Sequence, residues 1–147
     1  MKCSNCQEKM ALRGYEHVTK VGGFSVTDGT GQVLTCPACG TVTLSGKQLG
    51  GYERRAAVEI LRGAQKPVSG EVLKFARKAL GLRQKDLAAR LECNEQQLSR
   101  WEQSEAIEMW LRLAMVTLLE LEQNASAPGV NQVGTVPGSK FEIRKAG

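Results

Sequence analysis

The chain has 147 residues, with 20 Lys and Arg against 15 Asp and Glu, a net charge of +5, one His and five Cys. That length holds one medium domain or two small ones, and no stretch approaches the ~18–20 continuous apolar residues of a membrane-spanning helix. Met1-Lys2-Cys3-Ser4-Asn5-Cys6 lacks the apolar core of a secretory signal, so a cytoplasmic protein with reduced cysteines is expected.

The charge is unevenly placed. Residues 45–100 hold twelve of the Lys and Arg against six carboxylates, whereas residues 101–123 hold one Arg and five Glu. A basic middle permits a polyanionic partner, and the acidic segment after it should face away from one.

Residues 1–49 read as a small β unit. Gly14 to Val21 is a short strand, and Phe24-Ser25-Val26-Thr27 alternates with period two. Asp28-Gly29-Thr30-Gly31 has the composition of a hairpin turn, with Gln32-Val33-Leu34-Thr35 as the returning strand and Thr41 to Leu44 as a further one. So few large apolar groups in roughly 45 residues call for a staple. Residues 50–70 hold a helix from Tyr52 to Arg62, between Gly50-Gly51 and Gly63, and then a linker containing Pro67.

Residues 71–123 read as helical. Ser69 is a candidate N-cap, Val72, Leu73, Ala76 and Leu80 fall near helical spacing, and Gly81 ends that helix. Short helices from Gln84 to Leu91 and from Glu95 to Gln103 flank the turn Glu92-Cys93-Asn94. A longer helix, Ile107 to Glu122, carries an apolar stripe of Ile107, Trp110, Leu111, Ala114, Leu118 and Leu121. The tail, 124–147, has a Gly/Pro/Ser-rich part expected to be flexible, and then Lys140 to Arg144, whose alternation suits a strand. The fold class is therefore α+β, with a β-rich unit preceding an all-α one.

The staple is legible in the cysteines. Cys3-x2-Cys6 and Cys36-x2-Cys39 are two knuckles that can turn onto one ion and complete a tetrahedron around Zn²⁺. Four thiolates leave no coordination position for water, so the site is read as structural. Iron is the competing ion, since Cys36-Pro37-Ala38-Cys39-Gly40 also resembles a rubredoxin knuckle, although Cys3-Ser4-Asn5-Cys6-Gln7 lacks the glycine. His17 is expected to be an ordinary strand residue, and Cys93 a small buried apolar group.

Residues 82–103 divide labour in the manner of a helix-turn-helix: one helix lies across the DNA backbone and the next enters the major groove. Leu87, Ala88, Leu91, Leu98 and Trp101 form the inward set. Asn94 and Gln97 are spaced as a capping box at the start of the second helix, and Gln96 and Arg100 share its opposite face at i, i+4. Arg forks onto guanine, Gln can pair bidentately with adenine, and Gln84, at the amino end of the first helix, is placed for a phosphate. The candidate DNA-binding residues are thus Gln84, Asn94, Gln96, Gln97 and Arg100.

On these residues, 71–122 resemble the XRE/Cro type of helix-turn-helix domain. Preceded by the four-cysteine unit, the arrangement resembles the MqsA-type antitoxins of bacterial toxin–antitoxin pairs over about residues 1–123. The resemblance implies zinc on Cys3, Cys6, Cys36 and Cys39, base reading by Gln96 and Arg100, and a homodimer held through the carboxy-terminal domain. It further implies a toxin bound mainly by the zinc unit and repression of the chain's own operon. Gln96 stands where the family has Asn, Arg83 where a Thr or Ser cap is common, and Glu92 where Gly is common. A single short helix reads few base pairs, so half-sites one DNA turn (~34 Å) apart are expected, with the apolar stripe of 101–123 as dimer contact or as internal core. The alternatives are a stand-alone zinc-containing regulator and a protein-binding adaptor. An enzyme is not expected, because no nucleophile–base or paired-carboxylate constellation stands at recognisable spacing.

Overall fold

The computed structural model describes residues 1–126 and 141–145. Strands β1 (Ala11–Val21) and β2 (Phe24–Thr35) form one long antiparallel hairpin. Its turn is Gly22-Gly23, with φ of 56° and 80°, the two-residue connection that needs left-handed backbone at both positions. Gly22 is doubly constrained, since a Cβ there would also press on the Val72 side chain.

The turn expected at Asp28–Gly31 is therefore mid-strand. Tyr15 faces Gly31 but His17 faces Asp28, so β2 carries one extra residue there, a bulge. Turn-forming composition marks a bulge as readily as a reversal, and the two expected strands on either side of it are one. The bulge aims Asp28 inward, 2% exposed, where it accepts from the Thr30 amide (2.9 Å) and hydroxyl (2.6 Å) and from Arg55 Nε (2.6 Å).

The far edge of β2 is covered twice. β3 (Val42–Thr43) pairs with Leu34 and Thr35, and β4 (Phe141–Lys145) pairs antiparallel with Phe24 to Asp28. The alternating segment near the carboxy terminus thus finds its partner at the turn end of the hairpin, so this part of the expected flexible tail is ordered as sheet. The rest of that tail, apart from 124–126, lies outside the described residues.

Among the described residues, five helices follow β3: α1 (Gly46–Gly63), α2 (Gly70–Ala79), α3 (Gln84–Arg90), α4 (Glu95–Glu102) and α5 (Met109–Ser126). Helix α1 begins six residues before the expected Tyr52. Ser45 accepts from the Gln48 amide (3.2 Å) while Gln48 accepts from the Ser45 amide (2.9 Å), a full capping box, and that cap outweighs the poor helix propensity of Gly50 and Gly51. One apolar core is continuous from Phe24 and Val26 through Ala57, Ile60 and Leu61 of α1 to Leu73, Leu87, Leu98, Leu111 and Leu119. Helix α1 thereby joins the hairpin to the carboxy-terminal helices.

The inward face of α5 is rotated from the expected one. Leu111, Met115, Val116 and Leu119 are buried, while Trp110 and Leu121 stand 48% and 60% exposed. Arg112 also faces inward, donating Nε to the Leu61 carbonyl (2.9 Å) and Nη2 to that of Ala64 (2.8 Å). It satisfies carbonyls that the end of α1 would otherwise leave open.

Candidate metal centre and nucleic-acid interface

The open end of the hairpin brings the two cysteine pairs together. In each knuckle the residue after the second cysteine takes left-handed backbone, Gln7 at φ 65° and Gly40 at φ 74°. Gln7 N–H donates to Cys3 O and Gly40 N–H to Cys36 O, both at 3.0 Å. The two knuckles are the same turn, so the missing glycine after Cys6 changes its strain but not its shape. Cys3 and Cys36 are buried with Met10, while Cys6 and Cys39 face outward.

The four sulfurs lie within 4.8 Å of one another, with Cys3–Cys39 and Cys6–Cys39 at 3.6 Å and Cys6–Cys36 at 3.3 Å. Tetrahedral ligands ~2.3 Å from zinc are ~3.8 Å apart, so the four are spaced as edges of a metal-sized tetrahedron. Their protonation fits the same picture. The Cys6 and Asn5 backbone amides hold the Cys3 thiol below its ordinary value, and Thr41 holds Cys39 down at about 6. The backbone at Glu8 favours a Cys6 thiolate, but the proton shared with Cys36 leaves Cys6 raised to about 12. Four thiolates this close repel one another, and a dication is what lets all of them ionise together. Such a group would be held by Cys3, Cys6, Cys36 and Cys39 and would supply a covalent-strength crosslink between the hairpin ends. His17 is elsewhere, stacked on Tyr52 with ring centroids 4.6 Å apart.

At the other end of the molecule, α3 and α4 pack through Leu87, Ala88 and Leu98, all at most 2% exposed. Trp101 is half-buried, edge-on to Trp110 with centroids 5.4 Å apart. Asn94 Oδ1 accepts from the Gln97 amide at 2.7 Å, so the N-cap half of the expected capping box is present and commits the Asn94 side chain, while the reciprocal bond from the Asn94 amide to the Gln97 side chain is not formed. Gln96, Gln97 and Arg100 are exposed on the outward side of α4. Glu92 takes φ 55° in the turn, a conformation that costs a non-glycine residue ~1–2 kcal/mol. The cap of α3 is supplied in reverse: Arg83 has no acceptor atom, and Asp86 instead accepts from its amide (3.1 Å) and its Nε (3.0 Å).

Gln84 is more occupied than its position suggested. Its Nε2 donates to Glu102 Oε2 at 2.8 Å. Glu102 also accepts from Arg77 Nε (2.5 Å) and Nη2 (3.3 Å), and Arg77 Nη1 donates to the Leu82 carbonyl (2.9 Å). Arg77 and Glu102 are each 8% exposed. This lock joins α2, α3 and the end of α4, and Gly70 lies so near the Trp101 and Glu102 backbone that a Cβ would overlap it. The sequence carried a signal for it, since Arg77 falls on the stripe of Leu73, Ala76 and Leu80, where a cation requires a buried anion.

Residues 73–122 match the family model described as Helix-turn-helix. The match supports a DNA-binding transcriptional regulator, with the XRE-type fold that the residues resembled. Neither the curated proteins nor the solved structures contain a match to the chain. Among the described residues, no helix is long and apolar enough to cross a membrane.

Proposed function

We propose that this chain is a zinc-stapled transcriptional repressor of the cytoplasm that binds operator DNA as a dimer, and that it is the antitoxin of a toxin–antitoxin pair. The observation that carries the reading is the outward presentation of Gln96 and Arg100 on α4, held from behind by Leu98 and the Arg77–Glu102 lock. Gln96 and Arg100 read base edges. Gln97 lies beside them, and the α3 amino end at Gln84 and the turn at Asn94 approach the backbone. Zinc on the four cysteines is structural, and the chain has no catalytic role.

The dimer reading is supported by α5. Trp110, Leu113 and Leu121 are each about half exposed or more and fall at i, i+3 and i+11, one side of a helix whose other side is core. Apolar residues aligned on an outer face suit self-association. Two copies meeting there present two α4 helices to half-sites about one turn apart. Toxin binding by the zinc unit rests on the resemblance to MqsA-type antitoxins.

Co-expression with the neighbouring gene, followed by native mass spectrometry and metal analysis, tests the reading. The expected species contains two copies of this chain, one zinc per copy and the neighbouring gene's product. A zinc-loaded dimer without that product would leave a stand-alone regulator, and a monomer without metal would contradict the proposal.

A further inference from the structure

A cleft of about 310 Å³ opens between β2 and the first half of α1, away from both the cysteines and α4. Its floor is Gly31 and Tyr52, packed so closely that a Cβ on Gly31 would overlap the Tyr52 hydroxyl. One wall is Gln48, fixed at both ends because its Nε2 also donates to the Gln32 carbonyl at 3.0 Å. Beside Gln32 and Gly51, the rest of the lining is cationic: Lys47, Arg54 and Arg55.

The three cations are not equivalent. Arg55 is neutralised by buried Asp28. Arg54 reaches only the Ala79 carbonyl, at 3.5 Å, and neither it nor Lys47 has a carboxylate within ion-pair distance among the described residues. Among the described residues, the cleft therefore keeps two uncompensated positive charges. The helix beneath it breaks a local rule as well. Gly50 and Gly51, poor residues for a helix interior, stand four positions before Arg54 and Arg55. A Cβ on Gly51 would crowd Arg55 Nη1 at 3.2 Å, whereas one on Gly50 would make an ordinary contact with Arg54 Nη1 at 3.8 Å. Gly51 thus gives Arg55 room beside the cleft, and two glycines inside a helix are a local cost of the kind that accompanies a binding site.

We propose that this cleft binds a phosphate group through Lys47 and the Arg54 fork, most directly a backbone phosphate of DNA flanking the half-site. A planar guanidinium beside an ammonium matches a phosphate's oxygens. The location suits DNA, because Ala79, which Arg54 touches, ends α2 four residues before Arg83, the cap of α3, and that helix end faces the backbone in helix-turn-helix complexes. The DNA source rests on the operator-binding reading, whereas the phosphate chemistry of the cleft does not.

The test compares the zinc-loaded full chain with Lys47→Gln and with Lys47→Gln/Arg54→Gln. The exposed Lys47→Gln serves as the variant least able to disturb folding. Affinity for a mixed-sequence duplex is measured across a salt series, and amide chemical shifts of Gly51 and Tyr52 are followed as inorganic phosphate is added at constant ionic strength. The expected result is a salt slope shallower by about one for each DNA phosphate that the variant no longer neutralises. An unchanged slope with saturable phosphate shifts at Gly51 and Tyr52 that vanish in the double variant assigns the cleft to a free phosphate-bearing ligand. An unchanged slope with no such shifts overturns the proposal. If the unaltered chain binds no duplex, the operator reading fails while the phosphate titration still decides the cleft.

Discussion

Replacing Arg77 by Met removes the cation at the centre of the lock and leaves the Glu102 carboxylate, 8% exposed, with Gln84 as its one remaining side-chain partner among the described residues. Removing one member of a buried ion pair costs ~3–5 kcal/mol, because the other charge stays desolvated and uncompensated. A chain of 147 residues has a total stability on the order of 5–15 kcal/mol, so the loss is a large fraction of it. Urea unfolding at saturating zinc, followed by tryptophan fluorescence, reads this directly, because Trp101 adjoins Glu102. The double replacement Arg77→Met/Glu102→Leu removes both charges and should recover most of the loss. Gln84→Ala, which deletes a single hydrogen bond to a charged acceptor, should cost ~1.5–3 kcal/mol. If Arg77→Met costs under about 1 kcal/mol, or if its cost and that of Glu102→Leu simply add, the lock is not the element that fixes α4.

Three further outcomes are expected. Cys36→Ser should release zinc and remove amide protection at Val33 to Cys36, while protection at Val26 and Leu73, which lie in the main core, persists; hydrogen exchange with metal analysis checks both. Glu92→Gly should raise the urea midpoint by an amount worth ~1 kcal/mol, since glycine adopts the φ of 55° without strain. Burial alone would raise the Asp28 carboxyl, but Thr30 and Arg55 hold it below its ordinary value. Its contribution to stability is therefore complete above the unfolded pKa (~3.9) and lost as pH falls through the lower folded value. Asp28→Asn should flatten the acid limb of the stability profile in that window.

The parts of this molecule that the sequence made legible are those where chemistry forces spacing. Two Cys-x2-Cys pairs meet with their sulfurs at the spacing that thiolate coordination would demand, and the helix-turn-helix follows from small and apolar residues at helical spacing around a capped turn. What remained hidden depended on contacts distant in the chain. Asp28-Gly29-Thr30-Gly31 has a turn's composition but bulges instead, because Gly22-Gly23 lets the strand reverse earlier and Arg55, far along the chain, draws Asp28 inward. Gly50 and Gly51 looked like a helix boundary until the Ser45 cap and the Gln48 bridge to β2 carried the helix past them. On α5 the apolar residues nearly encircle the helix, and packing against α1 and α2 decides that Leu111 and Met115 go inward and Trp110 outward. The side chains of Gln84 and Asn94 were legible as helix-start residues, but not their commitment to Glu102 and to the Gln97 amide.

The most direct test is selection of preferred duplexes from a random-sequence pool, performed in parallel with the zinc-loaded chain and with Arg100→Ala. The expected outcome is an enriched motif with two-fold symmetry and half-sites about one turn apart, and a loss of roughly 1–3 kcal/mol of discrimination at one base pair per half-site in the variant. A motif identical in the two proteins, or no enrichment with the unaltered chain, would contradict the assignment of α4 as the helix that reads DNA.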